Sequence, residues 1–264
     1  MKQYLFTANE LYCIAYISGK TKVYGIAYDI GSDIEASIHK ITDTLVTKDV
    51  LTINVDGGIL VADDYRDIVN FVSDCQNCIT INAQKKNGES QSIIIWKYND
   101  QYLMAEFNTD YYLMVSIDEY IVKSILQSFL PTNQCEVHAD DVIIPLKELT
   151  KVKRLGNSKA SADIDLMLKQ NGVADDKISK LIADGLLERA DYIGILHMDM
   201  NVGECQKEEA AYLSDGNVIL EINRTIVNFR TSLCFSCKTA MQVGATIESM
   251  VDAFINGQPE GVTL

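Results

Sequence analysis

Two cysteine pairs carry spacing that could do chemistry: Cys75 and Cys78 in CQNC, and Cys234 and Cys237 in CFSC. A two-residue gap lets both sulfurs reach one tetrahedral ion, so the four thiols together could hold zinc. Neither pair is flanked by the turn glycines of a zinc knuckle, and neither opens a helix after a lone strand as a thioredoxin-like dithiol does. Seven cysteines, an odd number, spread through long apolar segments read as reduced thiols acting as small buried hydrophobes. His39, His138 and His197 fall in a helix, a connector and a strand with no HExxH or His-x-His spacing. No Walker loop occurs, no GxGxxG follows a strand, and Ser158, Ser161 and Ser249 lack a nucleophile elbow. The residues therefore nominate no catalytic group, no metal ligands and no cofactor, and the chain reads as a non-enzyme.

The elements around these residues fall into one unit that occurs twice. LVTKDVL at 45–51 aligns with LIADGLL at 181–187, each at the end of a helical pattern, an offset of 136. KYNDQYLMAEFN at 97–108 aligns with YLSDGNVILEIN at 212–223, an offset of 115 that pairs Asp100 with Asp215 and Glu106 with Glu221. The difference between the two offsets matches a helix predicted over 63–73 in the first copy only. Two copies are too few for a solenoid, so a single pseudo-twofold domain over 1–264 is expected, with 1–131 as the first copy, 132–157 as an irregular connector and 158–264 as the second copy.

Each copy reads as helices, an antiparallel four-stranded meander and a closing helix, which makes an α+β fold. Thr7 and Glu10 form a capping box for a first helix that ends at Gly19, and a second helix follows Ser32. Residues 50–61, with Asp56-Gly57-Gly58, read as a short wing. The strands are expected at 79–83, 92–98, 101–107 and 111–117, and again at 192–200, 208–213, 217–223 and 225–233. The closing helices begin near Ser116–Glu119, ending at Pro131, and near Lys238, ending at Gly257, while Gly185 is expected to stop the second helix of the second copy. In the connector Lys147, Lys151, Lys153 and Arg154 form a small basic cluster that reads as a solvated face.

Of 264 residues, 47% are hydrophobic, enough for a substantial core, and only three are proline, so no flexible linker divides the chain. A formal charge of −14 repels phosphate, which argues against nucleic acid and anionic membrane partners. The wing segment carries too few basic residues for a winged-helix regulator. No apolar run approaches a membrane span and the segment from Met1 to Gly19 does not resemble a signal peptide, so a cytoplasmic protein is expected.

FTANELYCIAYISG near the start, LVTKDVL leading into DGG, a further helix and the meander core IWKYNDQYLMAEF together give a pattern that covers nearly the whole chain. It resembles the EspG-like chaperones of type VII secretion, including the EsaE-type members of Gram-positive bacteria. The resemblance implies a quasi-twofold fold with a central antiparallel sheet, no enzymatic activity and no cofactor. It also implies a cytoplasmic chaperone that holds a helical secreted substrate of the WXG-like, LXG or PE/PPE type in soluble form and helps present it to the secretion ATPase. The family has no compact partner-binding motif, so the docking residues are nominated from pattern alone. Ile95, Tyr102 and Met104 lie on the sheet face expected to be outer, free for a partner or packed on the other copy, and Asn228 and Arg230 lie in the expected last strand. The loops 84–91 and 201–207 are the expected mobile edges. The competing class is an immunity protein, which would be equally acidic and non-catalytic and would neutralise a basic toxin by charge complementarity.

Overall fold

The computed structural model describes residues 2–129, 140–153, 160–200 and 205–257. In chain order the first part holds β1 (Gln3–Phe6), α1 (Ala8–Ile17), α2 (Ile34–Thr47), β2 (Leu51–Ile53), β3 (Ile59–Val61), α3 (Asp63–Asp74), β4 (Asn77–Gln84), β5 (Ser90–Tyr98), β6 (Gln101–Asn108), β7 (Tyr111–Ile117) and α4 (Glu119–Ser128). The second part holds β8 (Val142–Pro145), α5 (Leu146–Lys153), α6 (Ala160–Gln170), α7 (Asp176–Leu186), β9 (Asp191–Asp199), β10 (Gln206–Ser214), β11 (Ile219–Val227), β12 (Arg230–Cys237) and α8 (Ala240–Asn256).

Ten strands form one antiparallel sheet in the order β1-β7-β6-β5-β4-β9-β10-β11-β12-β8, and β2 with β3 forms the separate wing. Its seam is β4 against β9, in register from Asn77↔Asp199 to Gln84↔Tyr192. Outward from the seam each half contributes its meander in chain order and then a short edge strand, β1 on β7 and β8 on β12.

Strand alternation sends successive side chains to opposite faces, and both faces are covered. On the upper face Cys78, Ile94, Trp96 and Leu103 pack under α1, α2 and α3, while Leu213, Leu220 and Phe235 pack under α5, α6 and α7. On the lower face Ile79, Ile95, Tyr102, Ile195 and Tyr212 pack under α4 and α8, which lie side by side with α8 across the seam. Apolar residues on both sides of Ser90–Tyr98 thus mean two packed faces, each buried aliphatic chain contributing roughly 1.5–3 kcal/mol.

Local chemistry explains several element ends. The Thr7 box forms as the sequence predicts, with Glu10 N donating to Thr7 Oγ1 (3.1 Å) and Thr7 N donating to Glu10 Oε2 (2.8 Å). Glu10 is itself buried and its charge is met by Lys48 Nζ at 2.6 Å. The cap of α2 is Asp33 rather than Ser32: its carboxylate accepts from Ala36 N at 3.1 Å. Asp118 caps α4, leaving Ser116 inside β7. Between α1 and α2 the chain crosses the upper face through buried Val23 and Ile26, and Tyr24 O accepts from Trp96 Nε1 at 2.9 Å. Gly25 sits there at φ +77, where a Cβ would lie 2.9 Å from Ile94 and 3.0 Å from the Cys78 sulfur.

Four expectations need correction. Residues 140–153 of the expected irregular connector form β8 and α5, because Ile144 and Leu149 are core residues of the second half. Gly185 does not stop α7 but lies within it, close enough to β10 that a Cβ would meet Leu213 at 2.6 Å. Strand β11 runs on to Val227, so Asn228 belongs to the turn before β12 and not to a strand. The positive-φ residues that follow α2 and α7 are Asp49 and Glu188, an offset of 139, nearly one helical turn away from the offset of 136 that LVTKDVL and LIADGLL suggest.

Candidate partner-docking site

Of the five nominated docking residues, the structure separates three from two. Ile95 and Tyr102 are buried on the lower face beneath the closing helices, Tyr102 with its ring 6.0 Å from that of Phe254 on α8. Met104 is half-buried beside the same cluster. The face expected to be outer is therefore occupied by the protein's own α4 and α8, and no partner reaches Ile95 or Tyr102 while they are in place. Asn228 and Arg230 are exposed and close to one another, at the end of the β11–β12 hairpin.

That hairpin is held in register from Leu220↔Cys237 to Val227↔Arg230. Its two turn residues, Asn228 and Phe229, have φ of 50° and 61°. Positive φ at both central residues matches the right-handed twist of the strands, which is why Asn-Gly dominates such turns. Asn tolerates this backbone; a bulky Phe does not, and the conformation costs on the order of 1 kcal/mol. Phe229 is also fully exposed, and Ile226 beside it is 76% exposed. Neither the backbone nor the burial of this fold calls for Phe at position 229, and such outliers point toward function.

Next to the tip β12 runs out beyond its outer neighbour. Strand β8 pairs with β12 only from Ser232↔Pro145 onward, then turns into α5, so among the described residues Arg230 and Thr231 have no strand on their outer side. An open cleft of about 820 Å³ lies there among the described residues, lined by Pro145, Leu146, Lys147, Lys151, Arg230 and Thr231, with Glu148 and Thr150. Lys147, Lys151 and Arg230 are exposed and make no ion pair among the described residues. Glu148, the carboxylate in the lining, accepts from Asn171 Nδ2 at 2.9 Å. In sequence Lys147 and Lys151 read as a solvated face because Arg230, far along the chain, gives no local sign of joining them.

The remaining sequence candidates do not assemble into a reactive site. Cys75 caps the end of α3 and Cys78 lies on β4, whereas Cys234 and Cys237 lie on β12, four strand spacings from β4 or roughly 19 Å. The two pairs cannot share an ion. Burial raises the Cys75 thiol to about 12 and pushes the Cys78 thiol well above its ordinary value, so neither is a ready thiolate. Among the described residues no cluster of His, Cys, Asp or Glu is placed to hold a metal. His197 is buried at the seam, with Nε2 3.1 Å from Asn77 Oδ1 and its ring edge-on to Phe254; burial lowers its pKa while Asp199 opposes the shift. His138 and residues 201–204 of the expected mobile loop 201–207 lie outside the described residues, and the other loop is tied across the seam by Lys86 N donating to Asp191 Oδ1 at 2.9 Å. No helix among the described residues is long and apolar enough to cross a membrane.

No protein-family model matches the sequence, and no curated protein matches it. The fold, by contrast, matches that of a type VII secretion system chaperone. That structure is EspG5 of Mycobacterium tuberculosis in complex with a PE25–PPE41 dimer; the match has a TM-score of 0.51 and 8% identity and covers 99% of each chain. The chain thus has an EspG-like α+β fold over essentially its whole length.

Proposed function

We propose that this protein is a cytoplasmic, non-enzymatic chaperone or adaptor that binds a helical type VII secretion substrate, of the WXG-like, LXG or PE/PPE type, and keeps it soluble for export. Presentation to the secretion ATPase follows from the same reading, as does kinship with the EsaE-type members of Gram-positive bacteria. The observation that carries it is the fold match end to end with a chaperone solved in complex with its PE25–PPE41 partner. The exposed Phe229 and the adjoining cleft supply a surface of the kind such work needs, since an apolar helix end aggregates unless a complementary groove covers it. Asn228 and Arg230 belong to this surface in the proposal, whereas Ile95, Tyr102 and Met104 serve the internal packing. We also propose that the fold arose by duplication of 1–131 and 158–264 joined through 132–157, a reading supported by the strand order on either side of β4 and β9.

The test is a pull-down with a candidate secreted toxin cut into two parts. Retention of its N-terminal helical domain, with a higher soluble yield on co-expression, is the expected result. Retention of the C-terminal catalytic domain alone would make this chain an immunity protein and sink the proposal.

A further inference from the structure

We infer that the cleft beside the β11–β12 tip takes the end of an amphipathic helix in which carboxylates flank one or two apolar residues. The inference rests on the chaperone proposal only for the identity of the protein that carries the helix. In a chain of net charge −14, the cleft gathers Lys147, Lys151 and Arg230 with no ion pair among the described residues. Among the described residues the lining holds one carboxylate, Glu148, which accepts from Asn171 and keeps its charge, so the cations outnumber it three to one. Fields from the rest of the molecule are screened beyond about 8 Å at physiological salt, so a segment in the cleft meets this local excess of positive charge and not the net charge. Arg230 offers a planar fork that can give a carboxylate two parallel hydrogen bonds, and the two lysines on α5, one turn apart, act as point charges. Phe229, which precedes Arg230, and Ile226, which pairs with Thr231, are exposed at the tip and supply the apolar complement.

A helix end fits better than an extended strand. The free edge of β12 spans only Arg230 and Thr231, roughly 7 Å, too short for strand addition. Pro145 at the end of the neighbouring strand has no N–H to donate. Side-chain anchoring is what the cleft can offer, and charge reading by arginine and lysine is its means of selection.

The test uses the whole protein and two synthetic helical peptides that share one Leu/Phe face, flanked by Glu in the first and by Lys in the second. Fluorescence anisotropy at low and at physiological salt is expected to show the acidic peptide bound at least ten-fold more tightly, with the gap narrowing as salt rises. The triple change Lys147→Glu, Lys151→Glu, Arg230→Glu is expected to invert the preference, and Phe229→Ser to weaken the acidic peptide several-fold. Arg230→Gln, a single change at an exposed position, guards against misfolding of the triple variant and should lower the preference at least three-fold. Equal binding of both peptides, or a preference that survives Arg230→Gln and the triple change in a protein of unaltered circular dichroism, would overturn the inference. The chaperone proposal fails separately: a secretion substrate held without any acidic preference removes the charge reading alone, and acidic selectivity with no substrate held removes the chaperone reading alone.

Discussion

At the end of the first half β1 runs along β7 as far as Tyr112, whereas at the end of the second half β8 leaves Arg230 and Thr231 of β12 without an outer neighbour among the described residues. The two ends occupy matching places in the strand order, yet their tips differ in chemistry. The β6–β7 turn is Thr109-Asp110, with Phe107 and Tyr112 set ring to ring at 5.0 Å, and carries no cation. The β11–β12 turn is Asn228-Phe229, leads into Arg230 and adjoins two lysines. One end is closed by its own chain: Phe6 is buried, the capping box starts α1 directly after β1, and Glu10 is neutralised by Lys48. At the other end no described residue covers the edge of Arg230 and Thr231. One half thus commits its edge to stability, while the other half's edge is the one we propose for recognition.

The comparison breaks most visibly at Phe6. Phe6→Ala should cost about 3–5 kcal/mol in chemical denaturation, because a fully buried ring leaves a cavity, while Ile143→Ala on the matching edge strand should cost under about 1.5 kcal/mol. Equal losses would show that both ends are closed alike. Glu10→Ala removes half of the capping box and strands the Lys48 contact, and a loss of about 1–3 kcal/mol is expected from the same measurement.

A pH titration probes the seam that both ends share. The His197 pKa is lowered in the folded state by burial, so the unfolded chain binds more protons between the folded value and about 6.5. Stability from this group is fully present above about 6.5 and is lost as pH falls from there toward the folded pKa. Denaturation midpoints followed from neutral pH downward should drop for the wild type and drop less for His197→Gln. The smallest effect is expected at the open tip: Phe229→Ser should leave stability within about 0.5 kcal/mol and lower only partner binding. A larger loss would mean that Phe229 belongs to the fold.

Much of the fold was legible in the residues. The Thr7 box, the helix at Asp63, the Asn99-Asp100 turn and the meander strands each rest on contacts close in sequence, where pattern and capping speak directly. The edge strands were not. QYLF and VIIP are too short to show a period of two, and each finds its partner far along the chain, Phe6 opposite Tyr112 and Val142 opposite Phe235. Gly185 misled for a related reason, since a glycine that admits a neighbouring strand looks in sequence like one that ends a helix. The lower face misled because alternation reports that a face is apolar and not what covers it; the cover over Tyr102 comes from α8, the last helix of the chain. Of the proposed docking surface, pattern nominates Asn228 and Arg230, but a strand drawn through 225–233 hides the turn that exposes Phe229.

The seam between β4 and β9 also has a consequence for the order in which the protein is made. Strand β4 ends at Gln84, and its partner begins only at Asp191, after the rest of the first meander and four helices. At ~5–20 residues per second a ribosome needs on the order of 10 s to supply that stretch, while the first meander can pair within itself far sooner. For that interval the backbone of β4, with Ile79 and Ile81 beside it, is an open edge of the kind that joins to other chains. The nascent first half is therefore the stage at which this protein itself most needs covering, and its yield in cells should depend on synthesis speed between Lys85 and Asp199.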